Sequence, residues 1–146
     1  MIDGVLLTPQ RIISTDGGDV LHAMKRGDVG ECGFGEAYFS TVSPRAVKAW
    51  KRHRTMTLNL VVPVGEIRFV MYDDRSTAPA SGTFQEVLLS TDRYCRLTIP
   101  PMVWMGFQGL GAPVNLLLNV ANMPHDPNEI DRLDIRAINY EWDTTP

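Results

Sequence analysis

Cysteine is scarce in this sequence: Cys32 and Cys95 are the two residues of that type among 146, and they lie far apart. That excludes a disulfide framework or a cysteine-based zinc site and leaves free thiols, as suits a reducing cytoplasm. Net charge is scarce too. Fourteen Lys and Arg against 17 Asp and Glu give a formal −3, so no bulk positive field draws the chain to nucleic acid. No apolar run approaches the roughly 20 residues of a membrane helix. Asp3 stands where a secretory signal would carry positive charge. These absences predict a cytoplasmic protein with neither nucleic acid nor membrane among its partners. Long stretches of helical period are missing as well.

What is present is a series of short β-prone runs punctuated by Gly and Pro. Residues 36–42, 58–64, 66–72, 84–89, 94–99, 103–107 and 114–120 read as strands. Residues 4–13 read as one more, with Pro9 near its middle marking a sheet edge. Residues 14–19, rich in Asp and Gly, form a turn, residues 20–25 a strand or one helical turn, and residues 137–142 a last strand. The one predicted helix covers residues 128–133, behind Asp126 as N-cap and Pro127 in the first turn. No linker, repeat or low-complexity tract divides the chain, so residues 1–146 are read as a single domain large enough to bury a core. Short strands at this spacing predict an all-β sandwich or barrel.

The stretch from Val47 to Arg75 organises the rest. If extended, it sets Val47, Ala49, Lys51 and His53 on one face and Lys48, Trp50 and Arg52 on the other. An ionisable strand beside two strongly apolar ones lines a pocket, so Lys51 and His53 are expected to point into the mouth of a small barrel.

The order of these segments resembles the dTDP-4-dehydrorhamnose 3,5-epimerase family. The resemblance is carried by residues 48–53, Gly65-Glu66, Asp73-Asp74-Arg75, residues 99–107 and residues 126–129. The opening Asp3-Gly4-Val5 with Pro9, and then Asp16-Gly17-Gly18, add to it. It implies a double-stranded β-helix (cupin, jelly-roll) fold, a homodimer and a nucleotide-sugar substrate of the 4-keto-6-deoxy type. The chain departs from the family at its site. Lys48-Ala49-Trp50-Lys51 stands where the family has Arg-Gly-Leu-His, which puts Lys51 at the position of the catalytic base. Asn119 falls at the family's tyrosine, Met105 replaces a histidine, and Asp134 corresponds to the aspartate that pairs with the catalytic histidine.

Epimerisation next to a ketone needs a base for a carbon-bound proton, a donor for the enolate and an acid for reprotonation. Lys51 and His53 suit proton transfer or enolate stabilisation, and Asn119 and Asp134 complete the expected catalytic set. Lys48, Arg52 and Arg54 are candidates for a diphosphate. Asn59 is a candidate for sugar hydroxyls, Trp104 for stacking on a base or sugar, and His125 for reaching substrate from a loop. Trp50 reads as core and Arg75 as a structural partner of its neighbouring aspartates. Metal-holding cupins use His-x-His, a Glu and a later His; only His53 of that set is present here. No metal and no cofactor are therefore expected. The alternative reading is a non-catalytic cupin that binds a sugar nucleotide or polysaccharide fragment.

Overall fold

The computed structural model describes residues 1–143. Among them the β-prone runs form twelve strands. They are β1 Leu6–Pro9, β2 Ile12–Thr15, β3 Gly18–Leu21, β4 Glu36–Val42, β5 Val47–His53 and β6 Leu58–Val64, then β7 Glu66–Asp73, β8 Thr83–Ser90, β9 Cys95–Ile99, β10 Trp104–Gly109, β11 Asn115–Ala121 and β12 Ile130–Arg132. Two five-stranded sheets run in the orders β1-β9-β6-β11-β4 and β12-β5-β10-β7-β8, and β2 with β3 makes a separate hairpin. All pairings are antiparallel. Successive strands pass repeatedly from one sheet to the other, and this is the double-stranded β-helix of the cupins. Leu58, Leu60, Val62, Leu97, Ile99 and Leu117 of the first sheet bury against Ile67, Phe69, Met71, Val87, Leu89 and Met105 of the second. No helix among the described residues is long and apolar enough to cross a membrane.

Both sheets are also covered from outside, which explains why β6 is apolar at nearly every position. Over the first sheet lies the segment 22–35, fastened by Arg96, which is fully buried. Its guanidinium donates to the Asn59 Oδ1 (3.1 Å), the Ala23 carbonyl (3.1 Å), the Val29 carbonyl and the Asp28 carboxylate (3.2 Å). Truncating that side chain orphans several buried acceptors at once. Arg96→Met should cost about 3 kcal/mol in chemical denaturation and open residues 22–35 to limited proteolysis. Unchanged stability and cleavage would show that other contacts hold the segment.

The C-terminal residues cover the second sheet. There the predicted strand at 137–142 is an irregular strap, whose Tyr140 and Trp142 rings lie 6.2 and 5.4 Å from the Trp50 ring. Trp50 is buried, as expected for a core residue. The predicted helix at 128–133 is replaced by a 3₁₀ turn, Pro127–Glu129, followed directly by β12. Asp126 caps the turn by accepting from the Asn128 N–H at 2.9 Å, as its sequence predicts. Six residues are too few to hold a helix on their own, and the open edge of β5 offers Ile130 to Arg132 a strand partner instead. The single strand predicted over 4–13 is two, broken after Pro9; β1 does lie at a sheet edge. Of residues 20–25 only the start is strand, within β3.

Candidate functional site

Strand β5 builds one wall of the site, and a bulge decides what it presents. Met105 of β10 faces Lys51, but Phe107, two residues on, faces Lys48, three residues back. One extra residue on β5 therefore reverses the alternation between them. Lys48, which a regular strand would place opposite Lys51, joins it on the inner face. Trp50 is left on the outer side. Arg132 of β12 is the register partner of Lys51 and so shares its face. Lys48, Lys51 and Arg132 surround a cleft of about 320 Å³ completed by Ala49, Trp50, Met105, Phe107 and Leu133.

Lys51 also reaches a smaller crevice that it shares with His53, Met56, Leu58, Ile99, Pro100, Val103 and Met105. His53 is 7% exposed. Its Nδ1 hydrogen-bonds the Glu129 carboxylate, while its Nε2 has no partner. The second oxygen of Glu129 accepts backbone N–H groups of Arg54, Thr55 and Met56, each at 3.2 Å. The carboxylate thereby fixes the imidazole and the chain beyond it. Burial pushes the Glu129 carboxyl up, but the His53 bond and the Thr55 and Met56 amides outweigh it and leave it below the ordinary range. Burial lowers the His53 pKa, the Glu129 bond opposes this, and the positive charges of Lys51 and Arg132 add to the lowering. His53 is thus a neutral imidazole whose Nδ1–H points to Glu129 and whose Nε2 lone pair is bare, the tautomer a general base requires. Burial and then Arg132 also lower the Lys51 pKa, with Glu129 opposing, so its ammonium gives up a proton more readily than an exposed lysine.

The structure brings together only part of the sequence-derived set. Lys48, Lys51 and His53 meet on one wall. Asn119 lies on the inner face of the facing sheet, in register with Leu60 and Tyr38. Asp134 is exposed and accepts from the Arg136 N–H at 2.9 Å; Glu129, not Asp134, is the carboxylate that pairs with the histidine.

Arg52 and Trp104 belong to the outer face. Arg52 donates to Asp131 at 2.8 Å and to Asp74 at 3.1 Å, and stacks 4.4 Å from the Trp104 ring, whose indole N–H also binds Asp74. Arg54 is held by Asp131 at 2.6 Å. These cations are neutralised by neighbouring carboxylates and directed away from the cleft, which disfavours them as diphosphate clamps. Asn59 points outward beneath segment 22–35, where it serves Arg96, Thr98 and the Gly30 carbonyl. His125 is exposed on its loop. Arg75 is bound by Asp73 at 2.8 Å, as expected. No group of three or more His, Cys, Asp and Glu among the described residues is placed to hold a metal ion.

Two antiparallel sheets around a mouth lined by cations and a carboxylate-held histidine define a cupin with an ionisable site, and comparison with known proteins narrows this further. Over 99% of this chain and 94% of the other, the fold matches a dTDP sugar isomerase from Desulfovibrio desulfuricans, with 41% identity and a TM-score of 0.94. The chain belongs to the dTDP-sugar isomerase and dTDP-4-dehydrorhamnose 3,5-epimerase family. A dTDP-4-dehydrorhamnose 3,5-epimerase from Bacillus anthracis, with TDP and pyrophosphate bound, shares the fold at 17% identity, with a TM-score of 0.83 over 98% of this chain and 87% of that one. The sequence is 30% identical to a probable low-salt glycan biosynthesis epimerase, Agl13, of Haloferax volcanii, over 65% of this chain and 62% of that protein. The chain matches no protein-family model.

Proposed function

We propose that this protein epimerises or isomerises a dTDP-linked 4-keto-6-deoxy sugar by base-catalysed enolisation. The observation that carries the reading is the His53 imidazole, buried, tied through Nδ1 to Glu129, bare at Nε2 and next to Lys51. In this scheme the Nε2 lone pair takes the proton from the carbon beside the ketone. The Lys51 ammonium neutralises the enolate oxygen as charge develops there, which a desolvated cation does well. Lys48 and Arg132, on the same cleft, supply positive charge for the diphosphate. The dTDP-sugar activity of the 41%-identical relative supports the substrate class. The same reading takes residues 1–146 as a single domain that works as a cytoplasmic homodimer without metal or cofactor.

The test is proton exchange. Incubated in D₂O with a dTDP-linked 4-keto-6-deoxyhexose, the enzyme should wash deuterium into a carbon flanking the ketone, as read by mass spectrometry and proton NMR. Thermal stabilisation by the nucleotide sugar without any exchange would instead identify a binding protein.

A further inference from the structure

Strand β12 is three residues long and lies at the edge of its sheet. Its last residue, Arg132, is the cation it brings to the cleft, and that residue sits directly across the ladder from Lys51. Like charges in facing cross-strand positions repel. Lys48 lines the same cleft and adds a third positive charge. Lys51 feels the crowding: burial and then Arg132 lower its pKa, Lys48 adds to the lowering, and Glu129 opposes it. Among the described residues the Arg132 side chain has no hydrogen-bond or ion-pair partner. A short edge strand whose inner side chain is repelled needs a hold elsewhere.

That hold is one residue back, on the opposite face, where Asp131 is in register with Arg52. Its Oδ2 accepts from the Arg52 Nε at 3.1 Å and Nη2 at 2.8 Å, and its Oδ1 from the Arg54 Nε at 3.0 Å and Nη2 at 2.6 Å. Each carboxylate oxygen is thus taken by one guanidinium edge. The Arg52 Nη1 goes on to Asp74, just beyond β7, and the Trp104 indole of β10 donates to the same Asp74 carboxylate. A lone surface ion pair contributes little, but a carboxylate shared by two arginines within a network contributes more. The bonds from Arg54 and then Arg52 hold the Asp131 carboxyl below its ordinary range, so the clamp stays charged around neutral pH. A slip of β12 by one residue would turn Asp131 into the cleft and Arg132 out of it.

We propose that Asp131 is a positioning residue: by gripping Arg52 and Arg54 on the outer face, it keeps Arg132 opposite Lys51 against their repulsion. The diphosphate then meets cations already in place, with no rearrangement to offset its binding. This rests on the reading above that Lys48 and Arg132 receive the diphosphate.

Calorimetric titration with dTDP reads the role by its sign. Deleting a negative charge near the cleft would, by Coulomb attraction alone, tighten binding of an anion. Loss of position does the reverse. Asp131→Ala should weaken dTDP binding by roughly 10-fold, the scale of one lost charge-assisted hydrogen bond. In an Arg132→Met background no guanidinium is left to place, and there Asp131→Ala should change the dissociation constant by less than about 2-fold. Weakening of equal size in both backgrounds would show that Asp131 supports the fold in general rather than Arg132, and would overturn the proposal. So would unchanged or tighter binding in Asp131→Ala. Should that variant fold poorly, Asp131→Asn keeps one oxygen acceptor and should weaken dTDP binding by roughly 3-fold; no weakening would again overturn it. The reading beneath the proposal fails in a different way. Arg132→Met would then bind dTDP as tightly as the unmodified protein whatever Asp131→Ala does, and both would be overturned.

Discussion

His53→Asn slows deuterium exchange at the substrate carbon by roughly 10²–10⁴-fold, the range lost when a positioned general base is removed. Asn preserves a polar side chain that can still meet Glu129, so the folded state survives while the Nε2 lone pair is gone. Lys51→Met gives a loss of roughly 10²–10³-fold, as expected for removing a preorganised donor from a developing oxyanion. The two variants differ in pH dependence. The unmodified enzyme loses exchange as pH falls through the His53 pKa, which burial has moved below its ordinary value. Lys51→Met removes a nearby positive charge that lowers it further, so the acidic limb should move to higher pH in that variant. An exchange rate in His53→Asn equal to that of the unmodified enzyme would remove the imidazole from the chemistry.

Much of the fold is legible in the residues because strand length, turn chemistry and apolar alternation agree at most of the segments. Pairing across β7 and β8 or β11 and β4 follows runs that the sequence marks clearly. The site is less legible, for three physical reasons. First, β6 is buried on both faces, so Leu58 to Val62 carry no period that shows which way Asn59 points. Second, the bulge on β5 is a property of its pairing with β10, and nothing in residues 47–53 announces that Lys48 and Lys51 share a side. Third, the partners that occupy or orient a charge are distant in the chain. Asp131 is 79 residues from Arg52 and Glu129 is 76 from His53. A helix over 128–133 would not have presented Glu129 to His53; the 3₁₀ turn and β12 do.

Glu129→Ala should be the most destabilising change at the site, costing about 3–5 kcal/mol, or a fall of roughly 10 °C in Tm for a chain of this size. Glu129 is 6% exposed, and its carboxylate accepts from the His53 ring and from the Arg54, Thr55 and Met56 amides. The Arg54 N–H keeps the Glu129 carbonyl, so removing the side chain takes the partner from the buried His53 ring and from the Thr55 and Met56 amides. Glu129→Gln keeps one oxygen acceptor and should cost about 1–2 kcal/mol. The pH dependence of stability tests the same arrangement. Glu129 has a folded pKa below its unfolded value, so its contribution is present above that unfolded value and is lost as acid titrates the folded group. His53 is also lowered, so the unfolded chain binds its proton first and stability starts to decline once the pH drops below about 6.5. Denaturant titrations should therefore show a loss beginning near pH 6.5 and deepening through the carboxylate range. Glu129→Ala removes the deeper part, and His53→Asn removes the first. A stability profile of the unmodified protein that is flat from pH 7 to 5 would mean that His53 is not held neutral by its surroundings, and the base assigned to the reaction would lose its physical footing.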